Sequence, residues 1–139
     1  MRLVVIDAQG GGIGKMLVEQ LKAAYPGQTV LAVGTNAMAT AAMMRGGADQ
    51  GATGENAIRV TAEHADLILG PIGLILADAM LGEITPAMAQ AIGASQAEKI
   101  LIPVRRCAVT IAGFNPPPLA EAVRAAVQEV GVRLRGAQA

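Results

Sequence analysis

The sequence predicts an α/β fold with three layers, in which helices cover both faces of a mostly parallel, doubly wound sheet of strand order about 3-2-1-4-5. Short apolar runs alternate along the chain with segments of helical spacing. The first apolar run leads into a glycine-rich turn and then a helical pattern, in the sequence RLVVIDAQGGGIG. The composition is 53% hydrophobic with one Phe, one Tyr and no Trp, which is typical of an aliphatic core around buried parallel strands.

Five apolar runs bounded by turn residues predict the strands. They cover residues 3–6, 29–33, 58–61, 66–69 and 99–104. The third is the least regular, because it follows an irregular polar segment, GATGEN at 51–56. Residues 107–112 alternate in polarity and predict a sixth strand, antiparallel to the fifth.

Apolar side chains at helical spacing predict five helices. They cover residues 13–24, 37–45, 74–81, 86–92 and 119–130. Pro26 and Gly27 end the first helix, Asn36 is the expected N-cap of the second, and Thr85 that of the fourth. The helix at 74–81 is unusually apolar, and the tail from residue 133 is expected to be flexible.

Length and charge limit the classes of function. The length of 139 residues predicts one domain. The chain is too short for a nucleotide domain plus a separate substrate domain. Eleven basic and eleven acidic residues cancel, and no basic stripe contains aromatic residues, so nucleic acid is not an expected partner. The single cysteine, with no signal-peptide core and no membrane-spanning run, predicts a cytoplasmic protein without a membrane partner.

Four glycines at the junction of the first strand and the first helix predict a cradle for a phosphate group. Glycine lets an anion approach the backbone, and the free amides and dipole of a helix N-terminus supply positive potential. The loops that follow strands 1, 2 and 4 should meet at the carboxyl edge of the sheet. The expected ligand-binding residues are Gln9, Gly10, Gly11, Gly12, Ile13, Gly14, Lys15, Gly34, Thr35, Asn36, Gly70, Pro71 and Gly73.

The glycine loop matches the known nucleotide fingerprints only in part. Gly10 and Gly12 fit G-x-G-x-x-G, but Lys15 stands at the third glycine. The second strand lacks the terminal acid that holds the ribose of NAD; Thr35 and Asn36 are neutral groups that fit a 2′-phosphate or another ligand better. The expected cofactor is therefore NADP or another nucleotide, with none required.

A P-loop is a weaker match to the same residues. Gly14 and Lys15 fit its end, but Gln9 replaces the leading glycine and Met16 the hydroxyl that binds magnesium. The glycines also have a structural interpretation, as a tight strand-to-helix turn.

Several polar residues are further candidates for the site. Asp7 ends the first strand and either caps the turn or binds a ligand hydroxyl, and Asp78 interrupts the apolar helix. Glu83, just beyond that helix, is expected to be solvated, and His64 to lie at the amino edge of the sheet. No spacing predicts a metal site. The candidate polar residues are Asp7, Thr53, Glu55, Asn56 and Asp78.

Four motifs together resemble a known family. They are DAQGGGIGK, GTNAMATAAM, GATGENAI and GPIGLILADAMLGEITP. The chain, to about residue 130, resembles a family of short bacterial proteins that are classed as a domain of unknown function and described as Rossmann-like. The resemblance implies a Rossmann-like domain and transfers no activity and no catalytic residue.

Three classes of function remain open. The first is a module that binds a nucleotide or phosphorylated small molecule at residues 10–14. The second is a small oligomeric enzyme whose site is shared between subunits, and the third is a structural subunit in which the glycine loop is only a turn. The apolar segment at 72–81 also predicts a homodimer or larger homo-oligomer.

Overall fold

A computed structural model describes residues 1–105 and 108–138 and shows a parallel sheet flanked by helices. The strands are β1 (Leu3–Asp7), β2 (Val30–Gly34), β3 (Gln50–Thr53), β4 (Leu67–Pro71) and β5 (Glu98–Ile102). The helices are α1 (Gly12–Ala24), α2 (Ala37–Arg45), α3 (Glu55–His64), α4 (Pro86–Ala94) and α5 (Leu119–Gln138). The strand order is β3-β2-β1-β4-β5, and each neighbouring pair is parallel. The predicted fold class and strand order are confirmed.

Two apolar clusters form on opposite faces of the sheet, because successive strand residues point to opposite sides. On β1, Leu3 and Val5 belong to the cluster that α1 and α5 cover, while Val4 and Ile6 belong to the other. The second cluster is completed by residues of α3 and α4, among them Ile58. Both faces of β1 are therefore buried, as expected for a central strand of a doubly wound sheet.

The third strand lies earlier in the chain than predicted. Residues 58–61 belong to α3, and the strand is β3, in the segment predicted to be irregular. β3 is an edge strand that pairs only with β2 and is largely exposed, so it carries no apolar signal. In α3, buried Ile58 and Ala62 are four residues apart, which is the spacing of a helix rather than of a strand.

The predicted helix at 74–81 is wrong. A short 3₁₀ helix (Ile72–Ile75) is followed by turns through residue 83. Leu74 and Ile84 are both fully buried in one cluster, so the segment between them loops outward and returns. Asp78, Met80 and Leu81 have positive φ values of 64°, 56° and 57°, a conformation that a helix does not contain.

The C-terminal part differs from the sequence prediction in two respects. The last helix continues to Gln138, so the tail from residue 133 is helical, and its flexibility stays a prediction. For the predicted sixth strand, Cys107 lies outside the described residues, and residues 108–112 form no strand. No described helix combines the length and the apolar character that are needed to cross a membrane.

Gly70 brings β4 close to β1, and replacing it should destabilise the protein. A Cβ at Gly70 would collide with the carbonyl oxygen of Ile6 and with Leu74 Cδ1. We expect Gly70→Ala to lower the free energy of unfolding by about 1–3 kcal/mol, measured by urea denaturation. Gly93→Ala, in α4, is the matched control, because a Cβ there meets nothing within 4 Å. Equal stability of the two variants would contradict this close approach.

Candidate functional site

The site lies at the carboxyl edge of the sheet, where β1 and β2 end side by side. Asp7 and Gly34 are register partners at the ends of these strands, and the amide of Thr35 donates to the carbonyl of Asp7 at 3.0 Å. Strand order reverses between β1 and β4, and crevices at such a reversal are the usual ligand sites of open α/β sheets. The glycine loop and residues 35–36 therefore adjoin one another, as the sequence predicted.

Asp7 caps the strand-to-helix turn. Its side chain accepts the amide of Ala8 at 2.8 Å through Oδ1 and the amide of Gly14 at 2.7 Å through Oδ2. Burial raises the pKa of Asp7 because it disfavours the charged carboxylate; the two amides oppose this effect, and the charge of Glu83 adds to it. The capping role that the sequence allowed for Asp7 is the one observed.

Two of the four loop glycines are required by the fold. Gly11 has a φ of 72°, and a Cβ there would stand 2.8 Å from the Cα and the carbonyl oxygen of Ala39 in α2. A Cβ at Gly14 would stand 2.6 Å from Met43 Sδ and 2.9 Å from Asp7 Cβ. These two glycines thus allow the turn and the close packing of α1 on α2.

Gly10 and Gly12 have no such structural reason. Both are exposed, neither has a positive φ, and a Cβ at either would meet nothing within 4 Å. In the described part of the chain, the amides of Gly10, Gly12 and Ile13 make no hydrogen bond. These three amides, at and just before the start of α1, are donors without an acceptor among the described residues.

The other predicted glycines at this edge are explained by packing. A Cβ at Gly34 would lie 2.5 Å from Thr40 Oγ1, and one at Gly73 would lie 3.0 Å from Met80 Cε. Gly70 has the close approach to β1 described above, and Pro71 is buried at the end of β4. These residues pack the edge of the sheet beside the glycine loop. Contact between their backbone atoms and a ligand stays a prediction.

Asn36 links the second loop to the first. Its Oδ1 accepts the amide of Ala39 at 2.9 Å, which makes it the N-cap of α2, as predicted. Its Nδ2 donates to the carbonyl of Gln9 at 3.0 Å and to Glu83 Oε1 at 2.8 Å. The side-chain amide of Asn36 is therefore already used within the protein.

Glu83 is the site residue that the sequence prediction missed. Its Oε1 accepts three hydrogen bonds: from the amide of Gln9 at 2.9 Å, from Thr35 Oγ1 at 2.8 Å and from the Asn36 amide. Partial burial opposes the charged form, but these donors outweigh it and hold the pKa of Glu83 below its usual value. Glu83 is 74 residues from Gln9 in sequence, so no local pattern could have placed it there.

The remaining polar candidates bond to their own neighbours. Thr53 shares a hydrogen bond of 2.7 Å with Thr40, Glu55 accepts one of 2.6 Å from Thr85, and Asn56 accepts one of 2.6 Å from Arg59. In the described residues, none of these three bonds to the glycine loop.

The two candidates with exposed charges are Asp78 and Lys15. Asp78 lies on an exposed turn rather than on the predicted buried helix. Lys15 is half exposed, and its nearest ion-pair partner is Glu19, at 3.8 Å. Among the described residues, no group of three or more His, Cys, Asp or Glu side chains is arranged to hold a metal ion.

Two cavities lie away from the glycine loop. One, of about 280 Å³, borders the end of β5 and is lined by residues that include Ile72, Val104 and Phe114. The other, of about 300 Å³, lies at the amino edge and includes Arg2 and His64, so His64 has the location that was predicted. At the glycine loop itself, the segment after β4 reaches the loop and the end of β2 through Glu83, which bonds to Gln9 and Thr35.

Comparison with known proteins gives one match. A family model described as "Domain of unknown function (DUF3842)" matches residues 2–135. No curated protein and no solved structure matches the chain.

The low pKa of Glu83 gives a testable pH dependence. A carboxyl whose pKa is lower in the folded state stabilises the fold above its unfolded pKa, and this contribution is lost as pH falls through the folded pKa. We expect Glu83→Gln to lower the free energy of unfolding by about 0.5–1 kcal/mol at neutral pH, and the difference to shrink at an acidic pH below the ordinary pKa of a glutamate. Urea denaturation at both pH values measures it; a difference that is independent of pH would contradict this assignment.

Proposed function

We propose that this chain, which belongs to the family of unknown function whose model it matches, is a binding module for a nucleotide or another phosphorylated small molecule. The observation that carries the proposal is the contrast among the loop glycines. Gly11 and Gly14 are needed for the turn and its packing, whereas Gly10 and Gly12 leave open space beside three unpaired amides. At these two positions, a glycine would allow a ligand to approach the backbone closely.

The electrostatics of the helix start support an anionic group there. Partial positive charge collects at the first amides of α1, a helix of 13 residues. No acidic residue lies within its first turn, and the carboxylate of Asp7 takes up only the amide of Gly14 there. Anions bind at such positions by accepting hydrogen bonds from the free amides. We infer that a phosphate group accepts hydrogen bonds from Gly10, Gly12 and Ile13.

A binding role fits the polar residues better than a catalytic one. A general base needs to reach the reacting group, and Glu55, the one carboxylate of the GATGEN segment, instead accepts a hydrogen bond from Thr85. The purely structural interpretation accounts for Gly11 and Gly14 only.

A thermal-shift screen tests the proposal. The panel contains NAD, NADP, ATP, GTP and phosphorylated metabolites, each with and without magnesium, and an extrinsic dye reports unfolding because the chain has no Trp. A ligand at a hundredfold its Kd stabilises the native state by about 2.7 kcal/mol, which shifts Tm by several degrees. No shift with any compound, for protein that is folded, would overturn the proposal.

Gly12→Val localises the binding. The valine Cβ has open space, so the fold should be kept, but its methyl groups would cover the adjacent amides. We expect ligand affinity to fall by about tenfold or more, because charge-assisted hydrogen bonds are lost. Gly93→Val, also at a position with open space, is the control and should bind as the wild type does. Unchanged binding by Gly12→Val would exclude the loop as the site.

Self-association is a further part of the proposal. The segment after β4 exposes Leu81, which is 99% accessible, together with Ile75 at 38%. Exposed apolar side chains of this kind are common at interfaces between subunits. We expect a homodimer or larger oligomer by size-exclusion chromatography with light scattering, and a shift toward monomer in Leu81→Ser. A wild-type protein that elutes only at the monomer mass would contradict this expectation.

A further inference from the structure

The structure brings an acidic side chain to the end of β2, where the sequence shows none. β2 ends at Gly34 and is followed by the neutral residues Thr35 and Asn36. Glu83 arrives from the segment after β4 and bonds to both of them. The carboxyl end of β2 is therefore acidic, although nothing within the β2 sequence predicts it.

The carboxylate of Glu83 is held in one orientation with one oxygen unused. Oε1 takes all three hydrogen bonds from the protein, whereas Oε2 makes none in the described part of the chain. Because the donors come from the glycine loop and the loop after β2, the carboxylate is fixed relative to both. Oε2 is thus a positioned acceptor for a hydrogen-bond donor on a ligand.

The groups around Oε2 indicate what kind of ligand would carry the hydrogen-bond donor. The amide of Gln9 holds Glu83, and Gly10, the next residue, has the first of the unpaired amides. A ligand that uses both features carries a phosphate group and hydroxyl groups a few bonds apart. Ribose phosphates have this combination.

We propose that Glu83 selects the ligand of this site, favouring a ribose with free hydroxyl groups over one that carries a 2′-phosphate. The inference rests on the proposed function, because it concerns the same crevice. The ribose hydroxyls donate to Oε2, as they do to an acidic residue at the end of the second strand in other doubly wound folds. A 2′-phosphate brings negative charge against the carboxylate instead.

A basic side chain bonded to these residues would offset the repulsion between Glu83 and a 2′-phosphate. In the described residues, no Lys or Arg side chain forms a hydrogen bond or ion pair with Thr35, Asn36 or Glu83. The low pKa of Glu83 also keeps its carboxylate charged at neutral pH. This revises the expectation from the sequence that Thr35 and Asn36 fit a 2′-phosphate, because both side chains already donate to Glu83.

The test compares NAD with NADP, two probes that differ by the 2′-phosphate alone. Calorimetric titration of the wild type should give a Kd for NAD that is about tenfold or more below that for NADP. Glu83→Gln keeps the shape of the side chain and removes its charge, so this ratio should collapse toward one. Asp78→Asn removes a charge from the same segment at an exposed position and should keep the wild-type ratio.

Each contrary outcome identifies what fails. If Glu83→Gln strengthens the binding of NAD and of NADP equally, Glu83 opposes both ligands and does not select between them. That result overturns the inference. If neither NAD nor NADP binds to any variant while the screen yields another phosphorylated ligand, ribose selection is overturned and the phosphate module stands. Failure of the entire screen removes the proposed function together with this inference.

Discussion

One buried carboxylate holds the glycine loop in its shape. Asp7 joins the end of β1 to the first turn of α1 by accepting the amides of Ala8 and Gly14. Among the described residues it is the one charged side chain in the core, and burial raises its pKa accordingly. The two hydrogen bonds offset the cost of desolvating the carboxylate. The position of the open amides at Gly10, Gly12 and Ile13 depends on this connection.

A second carboxylate connects distant parts of the chain across the crevice. Glu83 joins the glycine loop, the end of β2 and the segment after β4, three regions that share no local sequence. The segment that carries Glu83 is anchored in the core by Leu74 at one end and by Ile84 at the other. Between these two residues the chain forms turns with left-handed conformations instead of a helix. The conformation of this segment is therefore tied to the glycine loop and to the end of β2 through one side chain.

Local signals predicted most of the fold and part of the geometry at the glycine loop. The helix at 37–45 was placed correctly because its N-cap and closing glycines lie beside it in sequence. β3 was missed because an edge strand needs no apolar pattern, and the helix at 74–81 was wrong because burial of Leu74 and Ile84 outweighs local helical spacing. The cap by Asp7 could be anticipated from its place at the strand end, whereas the position of Glu83 follows from tertiary structure alone.

The unpaired amides at the start of α1 are where we propose that the phosphate of a ligand binds. Titration of ¹⁵N-labelled protein with its best ligand from the screen, followed by amide NMR shifts, tests this claim directly. We expect the resonances of the Gly10, Gly12 and Ile13 amides to shift together, to saturate with one Kd and to show the largest changes in the protein. Saturable shifts confined to other surfaces, such as the cavity beside β5 that includes Phe114, would contradict it.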